Sequence, residues 1–337
     1  MNYIGAHILS IQQFEPTDID IIFDTADKML PFARRQKVTR VLEGAILGNM
    51  FFEASTRTRV SFGSAFNLLG GNVRETTGVA NTALAKGESL YDTARVLSGY
   101  SDVICMRHPQ PQSVAEFAKA SRVPVINGGD GPNEHPTQAL LDLYTIRKEL
   151  ASKDRGIDGL RIAMIGDLKY GRTVHSLCQL LCLYRNIQVS LVSPKELAMP
   201  EYLIEALRIA GHKVSISEEL TSSISHVDIA YSTRIQEERF QSKAEADLYR
   251  GRFRLNQSIY TQFCEPNTVI MHPLPRDSRA EANELDSDLD QNPNLAIFRQ
   301  TDNGVVVRMA LFALVLDVAH LVHKHAKDVH WFPGYHR

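Results

Sequence analysis

The sequence predicts an α/β protein of two domains, each built on a parallel sheet flanked by helices. Two observations carry this. Short apolar runs bounded by turn residues alternate with segments of helical period along most of the chain, the pattern of parallel sheets covered on both faces. At about 150 residues per domain, a chain of 337 residues holds roughly two. A polar stretch, ASKDRGIDG (151–159), separates the halves and is the best boundary candidate.

Taken in order, Ile19, Ile22, Ala26 and Met29 recur at helical spacing within 19–30. ILGNMFF (46–52) reads as a buried strand and 57–69 as a helix after it. DVICM (102–106) and VPVIN (123–127) are further strands, and 135–150 is a helix with Leu140, Leu141, Tyr144 and Ile146 on its faces. The second half repeats the rhythm with strand 161–166, helix 172–184, strand 187–192, helix 199–210, and strands at 227–232 and 268–273. Segment 276–295, rich in Asp, Glu and Asn, reads as a solvated loop.

Lys plus Arg number 37 and Asp plus Glu 39, a net charge of −2. No global field gathers polyanions, which argues against nucleic acid as a main partner; an anionic small molecule needs only a local cationic cluster. Four cysteines are too few for a disulfide scaffold. His175, Cys178 and Cys182 are metal-ligand types on one helix face, but no second Cys/His pair completes four ligands. Packing is their expected role, and no metal is expected. The opening MNYIGAHILSIQQFEP lacks the basic and apolar regions of a secretory leader, and MALFALVL is far too short to span a membrane. A cytoplasmic setting with no membrane partner is the expectation.

Ligands of doubly wound sheets sit beyond the carboxyl ends of the strands. Six strands run there into Glu53–Arg59, Arg107–Pro109, Gly128–His135, Asp167–Thr173, Thr233–Gln236 and His272–Arg276, which converge on one crevice if the sheets are parallel. Ser55-Thr56-Arg57-Thr58-Arg59 opens a helix directly after a strand. Its N–H groups, hydroxyls and forked guanidinium suit a phosphate, although an N-cap followed by surface arginines has the same pattern. Gly166 to Thr173 has P-loop spacing, but Arg172 stands where that loop needs a lysine point charge. The alternative is that Arg172 forks onto a carboxylate. His135, followed by Pro136, starts a helix and can donate to a carbonyl oxygen, with Gln138 one turn on. Pro-flanked Leu274 suggests a fixed backbone that shows its carbonyl to a ligand.

These residues resemble a known family. FFEASTRTRVSF, MRHP, HPTQALLDLYTI, GDLKYGRTVHSL, STRIQEERF, HPLPR and DNGVVVRMALFALVL look like the catalytic chains of aspartate carbamoyltransferases, in the family's order, from about residue 7 to about 316. His-Pro-Thr-Gln and His-Pro-Leu-Pro separate them from ornithine enzymes, which typically carry Cys at the position of Thr137 and His-Cys-Leu-Pro at 272–275. A transcarbamylase for another amino acid and a non-catalytic ligand-binding or assembly relative are the alternatives.

The resemblance implies transfer of a carbamoyl group from carbamoyl phosphate to the amine of L-aspartate, giving N-carbamoyl-L-aspartate and phosphate for pyrimidine synthesis, with no metal or organic cofactor. It implies a carbamoyl phosphate-binding domain at 1–150, joined by a C-terminal helix at about 304–337, and an aspartate-binding domain at 151–303. Ser55, Thr56, Arg57, Thr58 and Arg107 would hold the phosphate, and Thr58, Arg107, His135 and Gln138 the carbamoyl group. Arg172, Arg234 and Gln236 would hold the aspartate carboxylates, and the backbone at Leu274 and Pro275 the amine. Lys86 would reach in from a neighbouring subunit of a homotrimer, so that the active site lies in the interdomain crevice and at a subunit interface; a larger assembly with regulatory chains stays open. In NTALAKGE (81–88), Thr82 or Ala83 takes the place of a family serine. Glu53, too near the phosphate segment to bind an anion, is expected to pair with Arg107, Arg172 or Arg239, and Glu238 with Arg234. The tail after about 317 extends past the family's usual end and is expected to be a solvated helix end with an aromatic anchor.

Overall fold

The computed structural model describes residues 1–78, 87–236, 240, 242, 247–279 and 282–331. The chain divides into two compact units, Met1–Leu140 with Asp302–Arg337 and Leu141–Thr301.

The first unit holds a four-stranded sheet of β2 (Ile46–Phe51), β3 (Asn72–Thr77), β4 (Val103–His108) and β5 (Val125–Asp130) in the order β3-β2-β4-β5, every neighbouring pair parallel. β2, β4 and β5 are the apolar runs read from the sequence and are almost wholly buried, as strands covered on both faces must be. Helices α1 (Pro16–Ala33), α2 (Thr56–Leu68), α3 (Leu90–Leu97) and α4 (Ser113–Ala120) belong to this unit. The four periodic residues of α1, Ile19, Ile22, Ala26 and Met29, are fully buried. The unit's last helical segment lies on α10 (Ile297–Val315), where Phe312 meets Phe62 and Phe66 of α2 edge-on at centroid distances of 5.9 and 5.0 Å. Arg308 lies 4.7 Å over the Phe62 ring and donates to Ser61 Oγ at 2.7 Å. These contacts fix the helix whose first turn carries the Ser-Thr-Arg-Thr segment.

The tail differs from its expectation. It forms turns and a short strand, β11 (Lys327–Asp328), antiparallel to β1 (Lys37–Val38). Its anchors are Val322, fully buried, and His323, whose ring packs on Phe32 at 5.3 Å and whose Nε2 meets the Lys28 carbonyl at 3.0 Å. Of the tail's aromatic residues, Trp331 is 56% exposed, and Phe332 and Tyr335 lie outside the described residues.

The second unit's sheet runs β10-β9-β6-β7-β8, again with every neighbouring pair parallel. Its strands are β6 (Arg161–Ile165), β7 (Gln188–Val192), β8 (Lys213–Ser217), β9 (Ile229–Ser232) and β10 (Val269–Met271). Helices α6 (Arg172–Leu181), α7 (Glu201–Ile209), α8 (Leu220–Ile224) and α9 (Gln257–Phe263) belong to it, and α5 (Pro136–Ala151) contains the unit boundary. Segment 276–295 is not simply solvated. Leu285, Leu289 and Leu295 enter a core with Ile270 and Phe253; of the described acidic residues, Asp290 pairs with Arg276 and Glu284 is itself buried. Among the described residues no helix is long and apolar enough to cross a membrane.

Asp228, at the start of β9, has a nearly buried carboxylate that accepts from Arg155 at 2.5 Å, from the Arg161 side chain at 2.7 Å and from the Arg161 backbone N–H at 2.9 Å. Burial alone would raise its pKa, but the bonds from Arg161 and Arg155 outweigh burial and hold it at about 2 against 3.8. Because the folded value is depressed, the associated stability is present above the unfolded pKa and is lost as pH falls toward about 2. Asp228→Asn is expected to cost about 2 kcal/mol at neutral pH and to flatten the acid limb of thermal stability between about pH 4 and 2. Parallel acid limbs for variant and parent would refute this.

Both sheets reverse direction once. From β3 the chain returns to the other side of β2 to form β4, and from β8 it returns to the other side of β6 to form β9. The carboxyl ends of β2/β4 and of β6/β9 are therefore topological switch points, where diverging connections leave room for a ligand.

Candidate active site

At the first switch point β2 leads through Phe52, Glu53 and Ala54 to Ser55, the extended N-cap of α2. The Ser55 side chain makes no bond to the helix's first turn, so the hydroxyl is not consumed in capping as the bland reading of this motif requires. The two arginines of the motif part company. Arg59 pairs with Glu75 on β3, which also accepts from Asn49 at 3.0 Å, and so serves the sheet. Arg57 is exposed on the first turn beside the nearly buried Thr58.

Arg107 is the penultimate residue of β4 on the other side of the switch, and Phe52 N–H donates to its carbonyl at 2.8 Å. Its Nε donates to Glu53 at 2.8 Å, one of the pairings expected for that carboxylate. Arg239, Glu238, Lys86, Thr82 and Ala83 lie outside the described residues. Next to Arg107, His108 accepts the Gln110 N–H on Nδ1 at 3.1 Å and stacks edge-on against Phe52. Burial pushes its pKa down despite the nearby carboxylate of Glu53, which suits an acceptor imidazole.

β5 leads into the loop that presents His135, and two buried carboxylates that the sequence reading passed over shape that loop. Asp130 accepts from the backbone N–H groups of Gln112 and Glu134 at 2.8 and 3.0 Å and from Asn133 at 3.0 Å. Glu134 accepts from Ser10 Oγ at 2.6 Å and Ile11 N–H at 2.8 Å, with its pKa raised by burial. His135, 4% exposed, directly precedes α5, and its carbonyl accepts the Gln138 N–H at 3.0 Å. No local pattern marks either acid, because the N–H groups they collect come in part from distant segments, Gln112 and Ile11.

At the second switch point Gly166 directly follows β6 with φ of +113°, and a Cβ there would sit 2.3 Å from the Thr233 carbonyl oxygen. Only glycine lets the loops after β6 and β9 approach so closely. Asp167, fully buried, joins them, accepting the Tyr170 N–H at 2.9 Å and the Gln236 N–H at 3.1 Å. A carboxylate therefore occupies the centre of the loop with P-loop spacing, where a phosphate would meet repulsion. The same bonds set Arg172 at the start of α6 and Gln236 on one loop pair, with half-buried Arg234 between Thr233 and Ile235. His175 and Cys178 of α6 face inward. His175 Nε2 meets the Leu168 carbonyl at 2.7 Å, and Cys178 contacts Met164 at 3.5 Å. Burial pushes the Cys178 thiol pKa up, in keeping with packing.

The loop after β10 carries Leu274 at φ +59°, a left-handed conformation that costs a branched side chain on the order of 1 kcal/mol or more and must be held by its surroundings. The holder is His272, 1% exposed, whose Nδ1 accepts the Leu274 N–H at 2.8 Å. That bond makes the ring neutral, with its proton on Nε2, which donates to Glu284 at 2.7 Å.

Two family models match the chain. The aspartate/ornithine carbamoyltransferase carbamoyl-P binding domain covers residues 6–148, and the Asp/Orn binding domain covers 158–315. The aspartate carbamoyltransferase catalytic subunit of Cellvibrio japonicus is 79% identical over 332 residues, 98% of each chain. Among solved structures, the catalytic subunit of M. jannaschii aspartate transcarbamoylase is 42% identical with a TM-score of 0.83, covering 92% of this chain and 98% of its own. Aspartate transcarbamoylase of Trypanosoma cruzi in complex with carbamoyl phosphate and aspartate is 38% identical with a TM-score of 0.84, covering 93% and 98%. With two parallel sheets, cationic loops at both switch points and matches along almost its whole length, this chain belongs to the aspartate/ornithine carbamoyltransferase family.

Proposed function

We propose that the protein transfers the carbamoyl group of carbamoyl phosphate to the amine of L-aspartate, in the cytoplasm, as a step toward pyrimidines. The observation that carries this is the pairing of chemistries at the switch points: a helix start with Arg57 and Arg107 on one sheet, and Arg172, Arg234 and Gln236 on the other. A phosphate suits the first set and two carboxylates the second. A lone cationic side chain, as in an acceptor such as ornithine, would face like charge at Arg172 and Arg234.

In the reaction the aspartate nitrogen attacks the carbamoyl carbon, a C–N bond forms, and the C–O bond to phosphate breaks. Negative charge builds on the carbamoyl oxygen, where Thr58, Arg107 and His135 donate; each such donor is worth about 10²–10³ in rate. The amine's proton passes to the departing phosphate, which becomes the stronger base as its bond to carbon lengthens. Two dianions brought within about 4 Å repel by roughly 4 kcal/mol at an effective dielectric of 20. Arg57, Arg107, Arg172 and Arg234 offset that repulsion, and Ser55, Thr56 and Gln138 orient the first substrate. Holding both reactants in line supplies much of the remaining acceleration.

Lys86 completes the cationic set from a neighbouring subunit of a homotrimer in this reading. Purified protein should form carbamoyl-aspartate and leave ornithine unreacted. Inactive Lys86→Ala and Arg57→Ala chains, mixed into one oligomer, should regain part of the activity. Failure to form carbamoyl-aspartate overturns the activity; absence of regain overturns only the shared site.

A further inference from the structure

Within the second unit a line of buried polar groups runs from α5 to the Leu274 loop. Asp142, fully buried on α5, accepts from Tyr231 Oη and from Gln300 Nε2, each at 2.7 Å. Gln300, 1% exposed on α10, uses its other amide atom, Oε1, to accept the His272 N–H at 3.0 Å. His272 in turn accepts the Leu274 N–H. The polarity of this line is fixed at both ends. An ionised carboxylate only accepts and a backbone N–H only donates, so the Gln300 amide has one orientation that satisfies both neighbours. Burial, and then the charge of Asp142, push the Tyr231 phenol's pKa well up, which keeps it a donor to that carboxylate.

We propose that Asp142 and Gln300 are positioning residues for the attacking amine: by fixing the backbone at His272 they hold Leu274 in its left-handed conformation, and with it the direction of the Leu274 carbonyl. The inference rests on the reading that this carbonyl accepts from the aspartate amine. Asparagine at 142 can present a donor to Gln300, so the amide can turn over and leave the His272 N–H without its acceptor. Methionine at 300 keeps the volume and removes both bonds.

A merely structural role would weaken every ligand of the second unit alike. Positioning through Leu274 is selective, because a four-carbon dicarboxylate without an amine does not use the carbonyl. Asp142→Asn and Gln300→Met are therefore expected to raise the aspartate KM about fivefold and lower kcat about tenfold, while the inhibition constant of succinate stays at the parent's value. Melting temperature is recorded for each variant, and Gln300→Met carries the test if Asp142→Asn does not fold. Equal weakening of aspartate and succinate, or no weakening of either, overturns the proposal. Arg172→Ala separates it from the reading beneath: if Arg172→Ala leaves both ligands unaffected, the aspartate site itself is misassigned, whereas if Arg172→Ala weakens both and the relay variants do not discriminate, only the relay fails.

Discussion

Arg107→Ala is expected to lower kcat/KM for carbamoyl phosphate by about 10³, the upper range for loss of a donor aimed at developing charge. Two effects add. The guanidinium proposed to polarise the carbamoyl oxygen is gone, and so is a cation that pairs with Glu53, 2.8 Å away at the same switch point. With that cation gone, the carboxylate beside the phosphate segment repels the incoming dianion more strongly. The second effect is separable, because Arg107→Ala combined with Glu53→Gln removes the repelling charge while leaving the donor absent. The double variant should recover about tenfold, well within the roughly 4 kcal/mol that two charges 4 Å apart exchange at an effective dielectric of 20. The non-additivity measures the coupling directly. A double variant no better than Arg107→Ala alone would show that Glu53 acts only as a scaffold. A kcat/KM near the parent's in the single variant would remove Arg107 from the reaction.

Arg172→Ala is expected to raise the aspartate KM by about 10²-fold, since charge-assisted hydrogen bonds contribute about 1.5–3 kcal/mol each. Direct titration of carbamoyl phosphate should give the parent's affinity, because the residues assigned to it belong to the other unit. Arg172→Lys should restore only part of the loss: an ammonium offers a point charge where a planar fork is needed. An unchanged aspartate KM would return the Gly166–Thr173 loop to the status of a structural turn.

The elements legible in the sequence were those whose residues are buried on both sides. β2, β4, β5, β6 and β9 carry short apolar runs bounded by turn residues, and their alternation with helical segments marks them as covered strands. β3 (NVRETT) and β8 (KVSIS) were missed because each is an edge strand with most of its side chains exposed, so neither carries an apolar run. Their place is set by pairing with β2 and β7, information held in the partner. The loops that carry the candidate cations were readable because six polar loops follow six strands. The buried acids that arrange them were not. Asp130, Glu134, Asp142 and Asp167 look like surface residues in a string of letters, and only tertiary packing reveals that they collect N–H groups from distant segments. Segment 276–295 misled for the reverse reason: its acidic composition hid three leucines that the core takes in.

The first unit is assembled from both ends of the chain, residues 1–140 and 302–337, whereas the second is a single uninterrupted run, 141–301. This has a bearing on how a ribosome delivers the protein. Phe62 and Phe66 are made well before their partner Phe312, which follows only after the whole of the second unit has been translated. Vectorial synthesis usually lets the N-terminal domain finish first. Here residues 141–301 encode the part that can complete itself first, and the earlier segment must wait for residues 302 onward before its apolar helix face is covered.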